Sequence, residues 1–128
     1  MSNSKILLYG YPASSATWRV RAAMLYKKVD FEEKMIDINV GDVDFTAKVN
    51  PMGFVPAVKF PQNEEALFES LPIMELLDQL YPEQPILPKD PFQRARRVSL
   101  GFEFLTVMIT LYCILPITRT DKKMSPDH

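Results

Sequence analysis

The chain has 128 residues, 47% of them apolar, and a formal net charge of −1 at pH 7. That is room for one ordinary domain with a real core and a short extension, and so balanced a charge removes the electrostatic case for nucleic acid or an anionic membrane as partner. The single cysteine, Cys113, excludes an intrachain disulfide and any Cys-x-x-Cys pair.

Met1 to Lys5 lack the apolar core of a signal peptide, so a reducing, cytoplasmic setting is expected. Lys5 to Gly10 is apolar enough for a strand buried on both faces. Helix spacing follows from about Ser15 to Lys28, with Ala16, Val20, Ala23 and Met24 on one side. The second half of Val29–Ile38 reads as a strand, and Gly41–Val49 as a short irregular helix. Asn50-Pro51 ends that helix, because the residue before a proline avoids the helical region.

Val55-Pro56 introduces a strand over Ala57–Phe60, with Pro56 at its first position because proline cannot donate to a ladder. The turn 61–65 and the return strand Ala66–Phe68 complete a hairpin. Ser70 is expected to cap a third helix with Pro72 in its first turn. Ile73, Leu76, Leu77 and Leu80 would form its apolar face, and Tyr81-Pro82 its end. The order β-α-β-α-β-β-α predicts an α/β domain: a mixed sheet with helices on its faces. The expected boundaries are 4–84 for this domain and 85–91 for a proline-rich linker.

Residues 92–118 read as helical, with an apolar run from Phe104 to Ile117. A membrane span needs about 20 such residues. Extending the run back to Val98 takes in Glu103, at roughly 2.5–3.5 kcal/mol on insertion scales, so a buried helix is the better reading. Only a polar tail, 119–128, follows, and its composition predicts disorder. So apolar a helix needs a partner. The segment is therefore expected to open a larger helical domain, either truncated or completed by a second chain.

Conventional catalytic groups are scarce. His128 is the only histidine, which leaves hydrolase triads and histidine metal sites unsupported. No glycine-rich phosphate loop is present. Cys113 lies inside the apolar run and reads as a packing residue. Three places remain. Ser14-Ser15 stand where a helix begins: they read as an ordinary cap or as an anion site at the helix N-terminus. Val55-Pro56 reads as a trans loop proline or as a cis bond that presents the Val55 backbone to a peptide-like ligand. Glu69-Ser70 read as a plain cap with a solvated glutamate, or as groups for a ligand's ammonium and carboxylate. Singly, each place favours the plainer reading.

Together, in this order and on these elements, the three resemble the N-terminal domain of the glutathione transferases, a variant of the thioredoxin fold. The nearest class is zeta, which includes the maleylacetoacetate isomerases. Its signature Ser-Ser-Cys-x-Trp-Arg-Val-Arg is similar to Ser14-Ser15-Ala16-Thr17-Trp18-Arg19-Val20-Arg21, with alanine in place of the cysteine. Asn50-Pro51, Val55-Pro56-Ala57, Glu69-Ser70-Leu71 with Ile73, and Leu87-Pro88-Lys89-Asp90-Pro91 with Arg94-Ala95 match as well. The likeness covers roughly residues 5–97.

The resemblance implies glutathione as coenzyme and a small electrophile as substrate. It implies catalytic roles for Ser14 and Ser15 at the glutathione sulfur. Ala16, Thr17, Trp18 and Arg19 would also help bind glutathione, Val55 and a cis Pro56 would pair with the cysteinyl backbone, and Glu69 and Ser70 would hold the γ-glutamyl group. The implied reaction is cis–trans isomerisation of maleylacetoacetate to fumarylacetoacetate, or a related conjugation, reduced or lost if the second domain is missing. Where the class commonly carries polar side chains in its fourth helix, this chain has Met108 to Cys113. The competing expectation is a non-catalytic module that docks through that apolar helix, as a homodimer or onto another protein. A thiol oxidoreductase is disfavoured, because no cysteine lies between Pro12 and Thr17.

Overall fold

The computed structural model describes residues 5–100. The expectations for the run 104–117, for Met108 to Cys113, for His128 and for the tail 119–128 lie outside the described residues. The elements are β1 (Ile6–Gly10), α1 (Ser15–Tyr26), β2 (Phe31–Met35), α2 (Val43–Lys48), β3 (Ala57–Lys59), β4 (Leu67–Phe68) and α3 (Ser70–Leu80). Residues 91–100 are also helical. Among the described residues no helix is long and apolar enough to cross a membrane.

The strands form one sheet in the order β2-β1-β3-β4. β1 and β2 are parallel, as a β-α-β crossover requires. β3 runs antiparallel to both β1 and β4. Side chains alternate across β1, and each face has its own cluster. Ile6 and Leu8 join Val20, Ala23 and Met24 of α1, Val58 of β3, and Ile73 and Leu77 of α3. On the other face Tyr9, Ile36 and Ala57 pack with Phe45 of α2, the Tyr9 and Phe45 rings 5.5 Å apart. A fully buried side chain such as Ile73 contributes roughly 1.5–3 kcal/mol through removal from water.

Four expectations change. β2 occupies Phe31–Met35, not the second half of 29–38. Pairing with β1 sets its register, Ile6 opposite Phe31 through Gly10 opposite Met35. Its Glu32, Glu33 and Lys34 are exposed, as suits an edge strand that must not recruit another chain. α1 stops at Tyr26, because Lys28 turns into the left-handed region with φ 56° and sends Val29 back to the core. Ser70 does not cap α3: Glu69 is the N-cap, Ser70 is already helical, and no side chain caps the helix. Leu80 of the expected apolar face is exposed.

Ion pairing replaces packing at one point in this core. The Lys27 side chain is buried, with Nζ 2.7 Å from an Asp78 oxygen and 2.8 Å from the carbonyls of Tyr81 and Gln84. Asp78 also accepts from the backbone N–H of Ile86 and Leu87, each at 2.8 Å. This latch joins α1, α3 and the proline-rich linker. Burial alone would raise the Asp78 carboxyl, but the ammonium and the two N–H groups outweigh it and hold it below its ordinary value.

Candidate functional site

Strand register brings the three sequence-predicted places to one end of the sheet. Tyr9 is opposite Ala57, and Ala57 is opposite Phe68. Ser14 follows β1, Val55 precedes β3 and Glu69 follows β4, so all three emerge beside that row.

At the first place Ser14 is the N-cap of α1, and its Oγ accepts from the Thr17 N–H at 3.1 Å. A hydroxyl that accepts in this way keeps its hydrogen for another group. Ser15 and Ala16 are the first helical residues, so their N–H groups have no intrahelical acceptor. Thr17 turns inward and is buried, and its Oγ1 accepts from the Tyr11 N–H at 3.4 Å. Gly10 makes room for it: a Cβ there would collide with Thr17 Cγ2 and come within 2.8 Å of Glu33 Oε1. Trp18 lies outside, and its indole N–H donates to the Pro12 carbonyl at 2.8 Å. Arg21 stacks on that indole, 4.3 Å from the ring centroid, and forks onto Glu33 of β2. That pairing raises the Arg21 pKa from its ordinary value. The chain Glu33–Arg21–Trp18–Pro12 thus braces the loop that presents Ser14.

At the second place the Val55-Pro56 bond is cis, and Pro56 is buried just before β3. Among the described residues, the turn and loop hydrogen bonds leave the N–H and C=O of Val55 unused. Asn50 shapes the approach. It is buried, donates to the Phe54 carbonyl at 2.8 Å and accepts from the Met52 N–H at 3.0 Å. Sequence reasoning took Asn50 as a helix stop and as part of a matching family motif, without a role at the site; asparagine at the start of a turn was the available sign.

At the third place Glu69 is exposed and has φ 73° and ψ 123°. Such a backbone costs a non-glycine residue about 1–3 kcal/mol and clusters at functional sites. The first intrahelical bond runs from the Ile73 N–H to the Glu69 carbonyl. Pro72 has no N–H, so the N–H groups of Ser70 and Leu71 are open. The Ser70 side chain faces α1, where Arg19 Nη1 donates to its Oγ at 2.8 Å.

A mixed sheet with two helices on one face, one on the other and a cis-proline before β3 defines a thioredoxin-like domain. The family model for the glutathione S-transferase N-terminal domain matches residues 8–85. A mouse maleylacetoacetate isomerase is 40% identical over 101 residues, covering 74% of this chain and 45% of that protein. A zeta-class glutathione S-transferase of Euphorbia esula is 32% identical over 127 residues, 97% of this chain and 55% of that protein. Among solved structures, a maleylacetoacetate isomerase of Methylobacterium extorquens with bound malonate and glutathione superposes with a TM-score of 0.68. It is 38% identical, and the match covers 73% of this chain and 44% of that one. This chain belongs to the glutathione S-transferase family and carries its N-terminal domain. It spans about half the length of the curated relatives it matches.

Proposed function

We propose that this chain supplies the glutathione-binding half of a zeta-class transferase whose whole-protein reaction is isomerisation of maleylacetoacetate to fumarylacetoacetate. The observation that carries this is the gathering of Ser14, Val55 and Glu69-Ser70 at one end of the sheet, beside the Tyr9, Ala57 and Phe68 row. Their donor chemistry fits a γ-glutamyl tripeptide in order: a hydroxyl at a helix N-terminus for the thiol, an open backbone for the cysteinyl unit, and two N–H groups with a hydroxyl and a carboxylate for the charged end.

Bound glutathione supplies a nucleophilic thiolate toward a conjugated double bond. The protein's part is to favour that thiolate. A free thiol near pKa 8.5 is mostly protonated at neutral pH, and each unit of lowering requires about 1.4 kcal/mol. The Ser14 hydroxyl, already accepting from Thr17, donates to the sulfur, with Ser15 as its neighbour. The α1 N-terminus adds roughly 0.3–2 kcal/mol. Val55 pairs with the peptide backbone, which fixes the sulfur's distance from Ser14. Glu69 takes the ammonium, and Ser70 with the Leu71 N–H takes the carboxylate. In this proposal residues 4–84 form the glutathione unit, 85–91 the linker and 92–118 the opening of the helical domain that would face the electrophile. The docking alternative rests on the run 104–117, which lies outside the described residues.

Calorimetric titration with glutathione tests the reading: saturable binding in the millimolar range or tighter is expected, and its absence defeats it. Replacing Ser14 and Ser15 together by alanine should raise the pKa of the bound thiol. Unchanged thiolate absorbance in that variant removes the role given to the serines.

A further inference from the structure

The helix that presents the sulfur end of the site also reaches its opposite end. Arg19 stands just inside α1 and crosses to α3, with Nη1 2.8 Å from Ser70 Oγ. Its Nη2 is buried and has no hydrogen-bond partner among the described residues. Nor does any described carboxylate pair with it, whereas Arg21, Lys27 and Arg94 all have acidic partners. Burial lowers the Arg19 pKa from its ordinary value, with no opposing anion.

Arg19 as a whole is half-buried, and a guanidinium partly drawn out of water without a counter-ion is unfavourable. Here it lies beside the α3 N-terminus, whose partial charge has the same sign. One anion placed at that N-terminus relieves both. Ser70 is the link between them. A hydroxyl has one hydrogen and two lone pairs. Arg19 occupies a lone pair, so the hydrogen is left to point away from the guanidinium. Ser70 therefore presents a donor polarised by a full charge, beside its own N–H and that of Leu71. This set accepts a carboxylate and offers nothing to a neutral methylene or a second cation.

We propose that Arg19 is a positioning residue for the carboxylate of the γ-glutamyl group, acting through Ser70 without touching the ligand. It aims the Ser70 hydroxyl hydrogen and supplies the balancing charge from behind. The inference rests on the glutathione reading above, and it makes the chain selective for a ligand that carries that carboxylate. It also gives the Trp18-Arg19-Val20-Arg21 stretch a division of labour. Trp18 and Arg21 brace the loop of Ser14, Val20 enters the core, and Arg19 serves the far end of the same ligand.

The test uses the whole chain and two ligands, glutathione and 4-aminobutyryl-cysteinylglycine, which has the same skeleton without the γ-glutamyl carboxylate. Wild type should prefer glutathione. In Arg19→Met, glutathione affinity should fall about tenfold or more, while affinity for the analogue changes little, so the preference collapses. Ser70→Ala should lose much of the same preference, and adding Arg19→Met to it should take away little more. Arg19→Lys keeps the charge without the planar fork and should retain part of the preference. Equal weakening of both ligands in Arg19→Met shows a merely structural arginine and overturns the proposal. If Arg19→Met does not fold, the same comparison in Arg19→Lys decides: reduced preference supports the proposal and undiminished preference overturns it. Wild type that binds both ligands equally overturns the carboxylate role and leaves the sulfur end standing. Wild type that binds neither overturns the glutathione reading and this inference with it.

Discussion

Helix α1 sends two cations across to α3, and they end in opposite circumstances. Lys27 meets a carboxylate and two carbonyls, is wholly buried and has all three of its hydrogens placed. Roughly two turns earlier along both helices, Arg19 meets one neutral hydroxyl and, among the described residues, keeps a buried nitrogen without a partner. The first arrangement is complete within the protein. The second, among the described residues, is left open, and in the proposal above an anion completes it. Among the described residues, that contrast is what supports the proposed ligand at the Arg19 end.

The largest effect should come from breaking the satisfied pair. Lys27→Met leaves the Asp78 carboxylate buried beside α1, and loss of one partner of a buried pair costs roughly 3–5 kcal/mol, read as a lower urea midpoint. Arg19→Met, in contrast, should change stability by only about 1 kcal/mol. Similar midpoints for the two variants would erase the distinction between latch and ligand site.

A smaller effect is expected at Glu69, where the backbone has a positive φ and no side chain caps the helix among the described residues. Glu69→Gly removes the Cβ that makes φ 73° unfavourable and should stabilise the chain by about 0.5–1 kcal/mol, after the added flexibility of the unfolded state is offset. Glutathione binding should weaken in the same variant. Tighter or unchanged binding would mean that Glu69 is not held there for the ligand's ammonium.

The smallest effect is in pH. Asp78 has a folded pKa below its unfolded value near 3.9. Its contribution is therefore fully present above about pH 4–5 and is lost as pH falls through the depressed folded value. Wild-type stability should drop on acidification below about pH 4, and more steeply than that of Asp78→Asn. Equal slopes would remove Asp78 from the account of acid sensitivity.

Much of the domain was legible because its signals are local. β1 and α1 follow from an apolar run and a helical period. The β3–β4 hairpin follows from two short strands about a polar turn, whereas the cis bond at Val55-Pro56 followed only from the family resemblance, its local reading favouring a trans proline. β2 was placed too late because apolar content was weighed above charge. Its position is set by pairing with β1, and an edge strand tolerates Glu32, Glu33 and Lys34. Ser70 was read as a cap because serine before a helix usually is one. What displaced it was Arg19, 51 residues earlier in the chain.

The sequence by itself determined the order of elements and marked out the three candidate segments, because periodicity and turn chemistry act between near neighbours. Only the tertiary structure decided which of two cross-helix cations is a latch and which an open site. Both are basic residues of one helix and its C-cap, Arg19 and Lys27, and no property of their immediate sequence separates them. The difference is made by what α3 places opposite each: Asp78 opposite Lys27, and opposite Arg19 a serine at a helix N-terminus.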